Sequence, residues 1–128
     1  MATKVVDASA VGALLFGEPD AGAVAAALAG AELVAPTLLP FEVANICLKK
    51  IRRHRADREA LRGAFSLFGR MGIRFVEVDD EETLDLGEQT NLTAHDASYL
   101  WLSRRLSAEL VTLDRQLARA AGITPARA

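Results

Sequence analysis

Residues 108–122, AELVTLDRQLARAAG, change character halfway through: AELVTLD is a short apolar run closing on an isolated acid, and RQLARAAG has a helical period. The same passage from apolar run to helical segment occurs at KVVD (4–7), ELVAP (32–36) and IRFVEV (73–78). Helical period is read near 9–16, 20–30, 38–54, 57–71, 80–90, 94–107 and 115–121. Strands separated by helices pack as a mostly parallel sheet covered on both faces. Runs that are apolar throughout, rather than alternating, fit burial on both sides. The expectation is a single α/β domain over residues 1–128. It is a three-layer α/β/α sandwich around a central, mostly parallel sheet of four to five strands.

Composition agrees with a packed core: 128 residues, 51 % of them hydrophobic and 25 % charged, are ordinary for a globular chain of this size. The formal net charge of −2 carries no global basic field, so any surface that attracts nucleic acid has to be local. Cys47, the single cysteine, is flanked by Ile46 and Leu48 and reads as a small buried hydrophobe, in keeping with a reducing compartment. Asp7 and Glu18 interrupt the N-terminal apolar run, which a secretory signal would not tolerate. No uncharged apolar run reaches about 18 residues, so no membrane span is expected and the location is expected to be cytoplasmic.

In a parallel sheet one edge collects every strand C-terminus, and ligands bind there, where the strand order reverses. Asp7 and Asp114 end the first and last apolar runs. Glu42 lies in the opening of the helix that starts at PTLLPFEVAN, and Asp96 lies in the first turn of the helix at LTAHDASYLWL. With strands in the order 3-2-1-4, the crevice falls between the first and fourth, flanked by Glu42 and Asp96. A local reading also covers each acid. Thr93-x-x-Asp96 has the form of a capping box, Asp114 is a good N-cap, and Asp7 or Ser9 can cap the first helix. Glu42 fits capping least, because its helix reads as apolar nearly all round; its polar face-mates are Asn45 and Lys49.

Four carboxylates on one edge repel one another unless a cation offsets them. Hard oxygen donors suit Mg²⁺, with Mn²⁺ as its substitute, whereas one cysteine and two histidines offer no zinc spacing. KKIRRHR (49–55) is the most basic patch; it serves equally as a solvated helix C-terminus or as a phosphate contact through Lys49, Arg52 and Arg53. EVDDEE (77–82) is assigned to the first turn of the next helix and left outside the site. FSLFGRMGI and Trp101 are assigned to the core or a dimer surface, and His95 to the helix surface.

KVVDASAVGALLFGEP, LVAPTLLPFEVANICLKK, LTAHDASYLWLSRRL and AELVTLDRQLARAAG together resemble the PIN-domain nucleases, and more narrowly the VapC toxins of bacterial toxin–antitoxin pairs. The similarity runs essentially end to end. It implies an acidic quartet for divalent metal at Asp7, Glu42, Asp96 and Asp114, with the Ser9 and Thr112 hydroxyls beside it; Asn45, on the Glu42 face of its helix, is a further candidate to orient ligands or waters. It implies metal-dependent endoribonuclease activity on RNA, neutralisation by a cognate VapB-like antitoxin, and a homodimer or a larger assembly with that antitoxin. A noncatalytic PIN-like binding module remains the alternative. A phospho-receiver domain fits poorly, since Asp7 is followed by Ala8 and the closing ITPARA has no lysine.

Overall fold

The structure, a computed structural model, describes residues 1–127. Four strands among them, β1 (Thr3–Val6), β2 (Glu32–Pro36), β3 (Arg74–Val76) and β4 (Glu109–Val111), form one sheet in the order β3-β2-β1-β4. Every pairing is parallel. This is the 3-2-1-4 order that sets a crevice between the first and fourth strands, with the strand-order reversal at β1. Val5, Val6, Val34 and Ala35 are fully buried, because helices cover both faces. On one side, α1 (Ala8–Leu15) packs on α2 (Ala21–Leu28) and α3 (Leu39–Arg53), and α3 packs on α4 (Arg58–Ser66). On the other, α6 (Ala94–Leu106) contacts β1, β2 and β4 and carries α5 (Asp80–Thr90) and α7 (Arg115–Ala121). Among the described residues no helix is long and apolar enough to cross a membrane.

Two strands are shorter than their apolar runs. β4 stops at Val111 because side-chain hydroxyls take the next amides: Leu113 N–H donates to Ser9 Oγ at 2.9 Å, and Asp114 N–H donates to Thr112 Oγ1 at 3.0 Å. β3, at the sheet edge, keeps three residues. The helix expected over 57–71 divides into α4 and a 3₁₀ turn, Leu67–Arg70, around the weak helix former Gly69.

α3 corrects the reading of an all-round apolar helix. It buries only Leu39, Val43 and Cys47, at intervals of four, while Phe41 is 81 % exposed. One stripe of the helix meets the core and the rest is surface. Gly12 sets how closely α3 approaches α1, since a Cβ there would stand 3.1 Å from Ile46 Cδ1. That approach brings the start of α3, with Glu42, towards the end of β1.

Candidate active site

Asp7 is the residue after β1 and the N-cap of α1, so its carboxylate lies at the C-terminal edge of the sheet. It is 4 % exposed, and both of its oxygens are engaged. Oδ1 accepts from Ser9 Oγ at 2.7 Å and from Ala10 N–H at 3.0 Å; Oδ2 accepts from Thr112 Oγ1 at 2.5 Å. The parallel register Val6↔Val111 sets Asp7 opposite Thr112. The family resemblance implies that the Ser9 and Thr112 hydroxyls accompany the acids, and in the structure both donate to Asp7. Asp114, two residues beyond Thr112, caps α7 by accepting from Leu117 N–H at 2.8 Å.

The other two acids arrive on helices. Glu42 lies in the first turn of α3 and is half-buried. Its Oε1 accepts from Tyr99 Oη at 2.5 Å, across 57 residues of chain. Asp96 lies in the first turn of α6, where Thr93 Oγ1 accepts from its backbone N–H at 3.1 Å. Local capping is therefore present at Asp7, Asp114 and the start of α6, as the sequence allowed. It leaves the outer carboxylate oxygens of Glu42, Asp96 and Asp114 without an ion pair among the described residues.

Electrostatically the four acids form one system. Burial pushes the Asp7 carboxyl up to about 6; the Thr112, Ala10 and Ser9 donors work against that rise, and the charge of Asp114 adds to it. Burial also raises Glu42, against the Tyr99 hydrogen bond and nearby His95, with Asp96 adding to the rise. Asp96 is raised by burial and then by Asp114, while Thr93 and His95 lower it. Each acid thus carries the charge of another acid in its surroundings. The donor set is all carboxylate oxygen with no compensating lysine or arginine, which fits a hard divalent cation and gives zinc no thiolate. Cys47 lies elsewhere, 3.7 Å from the Leu61 carbonyl. Among the described residues no three His, Cys, Asp or Glu side chains are grouped closely enough to hold a metal as they stand. The fit therefore lies in donor chemistry and charge, not in a closed cage.

A pocket of about 660 Å³ opens beside this cluster, lined by Glu42, Asn45 and Lys49 with Phe41 and His95. The expected face-mates of Glu42 are thus found with it, and His95, assigned to plain surface, borders the site. Lys49, Arg52 and Arg53 are exposed along α3 and enter no ion pair among the described residues, whereas Lys50 pairs with Glu18 at 2.9 Å. Trp101 lies apart from the acids, donating from Nε1 to Glu82 at 2.9 Å. Asp79 caps α5, and Asp80, Glu81 and Glu82 occupy its first turn, as expected of the acidic run. Tyr99 escaped sequence reasoning. Its signal was position: three residues after Asp96 it shares that acid's helix face, so a buried hydroxyl is aimed at whatever the acid faces.

Comparison with known proteins gives the same picture. Residues 4–123 match the PIN domain family. The chain is 33 % identical over 119 residues to Ribonuclease VapC3 of Pyrobaculum aerophilum, covering 89 % of this chain and 91 % of that protein. The crystal structure of PAE2754 from Pyrobaculum aerophilum superposes with a TM-score of 0.79 at 24 % identity, over 98 % of this chain and 90 % of that one, and so shares the fold. A parallel sheet in the order 3-2-1-4, acids at its C-terminal edge, the family match over residues 4–123 and the 33 % identity to a VapC ribonuclease lead to one assignment: the chain belongs to the PIN-domain family, on its VapC ribonuclease branch.

Proposed function

We propose that this chain is a metal-dependent endoribonuclease toxin, with Asp7, Glu42, Asp96 and Asp114 as the site that takes Mg²⁺ or Mn²⁺. The observation that carries the reading is the company these acids keep. They come from four separate stretches of chain, have no lysine or arginine partner among the described residues, and three of them are raised above their ordinary carboxyl values by burial. A divalent ion bound there would supply the Lewis acidity that lowers the pKa of water and offsets charge on a phosphodiester.

The chain's own residues prepare that chemistry. Ser9, Thr112 and the Ala10 amide fix the Asp7 carboxylate so that it need not reorganise. The Tyr99 hydroxyl engages one oxygen of Glu42 and leaves the other free to act as ligand or to orient water. Asn45 is positioned to orient a water or substrate group beside Glu42. Lys49, Arg52 and Arg53 attract RNA phosphates along α3. The likeness to a VapC ribonuclease supports an antitoxin partner that lays a basic side chain over the uncompensated acids, and a homodimeric or larger assembly.

The test is cleavage of an end-labelled RNA by purified protein in Mn²⁺, in EDTA, and with Asp7→Asn. Cutting in Mn²⁺ alone, lost in the variant, is expected. Equal cutting by Asp7→Asn, or cutting in EDTA, overturns the assignment. RNA bound but never cut would mark a noncatalytic binding module instead.

A further inference from the structure

Phe41 stands immediately before Glu42 with 81 % of its surface in water. The other phenylalanine and tryptophan rings have partners: Phe65, Phe68 and Phe75 pack in series, Phe16 lies under Lys50, and Trp101 holds Glu82 and Arg105. Among the described residues Phe41 has no ring or cation partner. Asn45 and Lys49 follow it at i+4 and i+8 and line the same pocket. The three make one stripe about 12 Å long on α3: a π face, an amide, and an ammonium group.

We propose that this stripe binds one single-stranded RNA nucleotide beside the acidic cluster, with its base stacked on Phe41, the base edge at Asn45, and a phosphate at Lys49. The inference rests on the ribonuclease reading above. Base–aromatic stacking needs an exposed ring, and among the described phenylalanine, tyrosine and tryptophan rings this is the most exposed. An amide both donates to and accepts from a base edge. Lys49 lies two turns from Glu42, which separates the phosphate it holds from the acids. The exposed cations continue beyond it at Arg52 and Arg53, which extends the attraction along the strand. That charge also argues against a second copy of this chain as the occupant: the core of a protein interface is depleted of charge, and two such stripes would repel.

The experiment uses the full chain and a fluorescein-labelled single-stranded RNA ten-mer of mixed sequence. Affinity is read by anisotropy in EDTA, and KM and kcat are read by cleavage in Mn²⁺. Phe41→Ala is expected to weaken binding about 5- to 150-fold and to raise KM more than it lowers kcat. Phe41→Trp should recover most of the loss and Phe41→Leu should not. Lys49→Ala should flatten the dependence of log affinity on log salt by about 0.7. A Phe41→Ala protein matching wild type in affinity and KM overturns the proposal, as does full recovery by leucine. A Phe41→Ala protein that changes mass in sedimentation while keeping its RNA affinity also overturns it, and assigns the face to contact between copies. If wild type neither binds nor cuts the RNA, the ribonuclease reading itself fails; if wild type does both and only the Phe41 variants behave as wild type, the stacking inference alone falls.

Discussion

The acidic cluster has a closed flank and an open one. Around Asp7 each carboxylate oxygen has at least one donor, and the side chain is buried in a hydrogen-bonded knot that joins β1 to the end of β4. Around Glu42 a single hydroxyl, that of Tyr99, holds a half-buried carboxylate, and the other side opens into a pocket rimmed by exposed residues. The closed flank has the rigidity a ligand of fixed geometry needs. In the proposed function, the open flank is where a substrate of variable sequence would be accommodated. Neither flank has a lysine or arginine paired with its carboxylates among the described residues, so the site as a whole favours a cation.

The sharpest way to break this contrast is at Asp7. Asp7→Asn should lower RNA cleavage in Mn²⁺ by at least about 100-fold, measured on labelled RNA, because one charge of the cluster is lost while the shape is kept. The same substitution should strengthen the fold. An aspartate raised from 3.8 to about 6 is ionised at a cost that is fully present above pH 6 and disappears as pH falls towards 3.8, where folded and unfolded chains are both protonated. Urea denaturation in EDTA should therefore show Asp7→Asn more stable than wild type at pH 8, by at most about 3 kcal/mol, the gain fading below pH 6. The knot can accommodate the change, since Thr112 Oγ1 lies 3.3 Å from Ser9 Oγ and can donate there instead. An unchanged or lowered stability at pH 8 would mean that Asp7 is not strained by burial.

On the open flank, Tyr99→Phe removes one donor and keeps the ring. It should cost about 2 kcal/mol in urea denaturation, a typical value for a hydrogen bond to a charged group. It should also lower kcat for RNA cleavage, because Glu42 loses its orienting contact. Retained kcat with reduced stability would restrict Tyr99 to a packing role. The smallest effect is expected away from both flanks. Asp79→Ala deletes the N-cap of α5, whose carboxylate accepts from Glu82 N–H at 2.8 Å, and should cost about 1 kcal/mol with cleavage unchanged.

Much of this was legible in the residues. The runs at 4–7, 32–36, 73–78 and 108–114 each yield a strand, and the sheet they form is parallel as expected. The caps at Asp7, Thr93 and Asp114 lie where local chemistry puts them. The ends of β4 and the face of α3 were not legible. β4 is cut short by hydroxyls, one of them from Ser9, whose proximity depends on the pairing of β1 with β4. α3 looked apolar all round because composition does not say which stripe will find a partner, and only Leu39, Val43 and Cys47 did.

By itself, then, the sequence determined the succession of strands and helices and set an acid at each of four junctions, because period and capping are properties of neighbouring residues. The tertiary structure alone decided that Thr112, 105 residues away, would pin Asp7, that Tyr99 would hold Glu42, and that Phe41 would be left in water. Those outcomes depend on which surfaces pack together, and packing is settled by the whole chain at once rather than by any window of it.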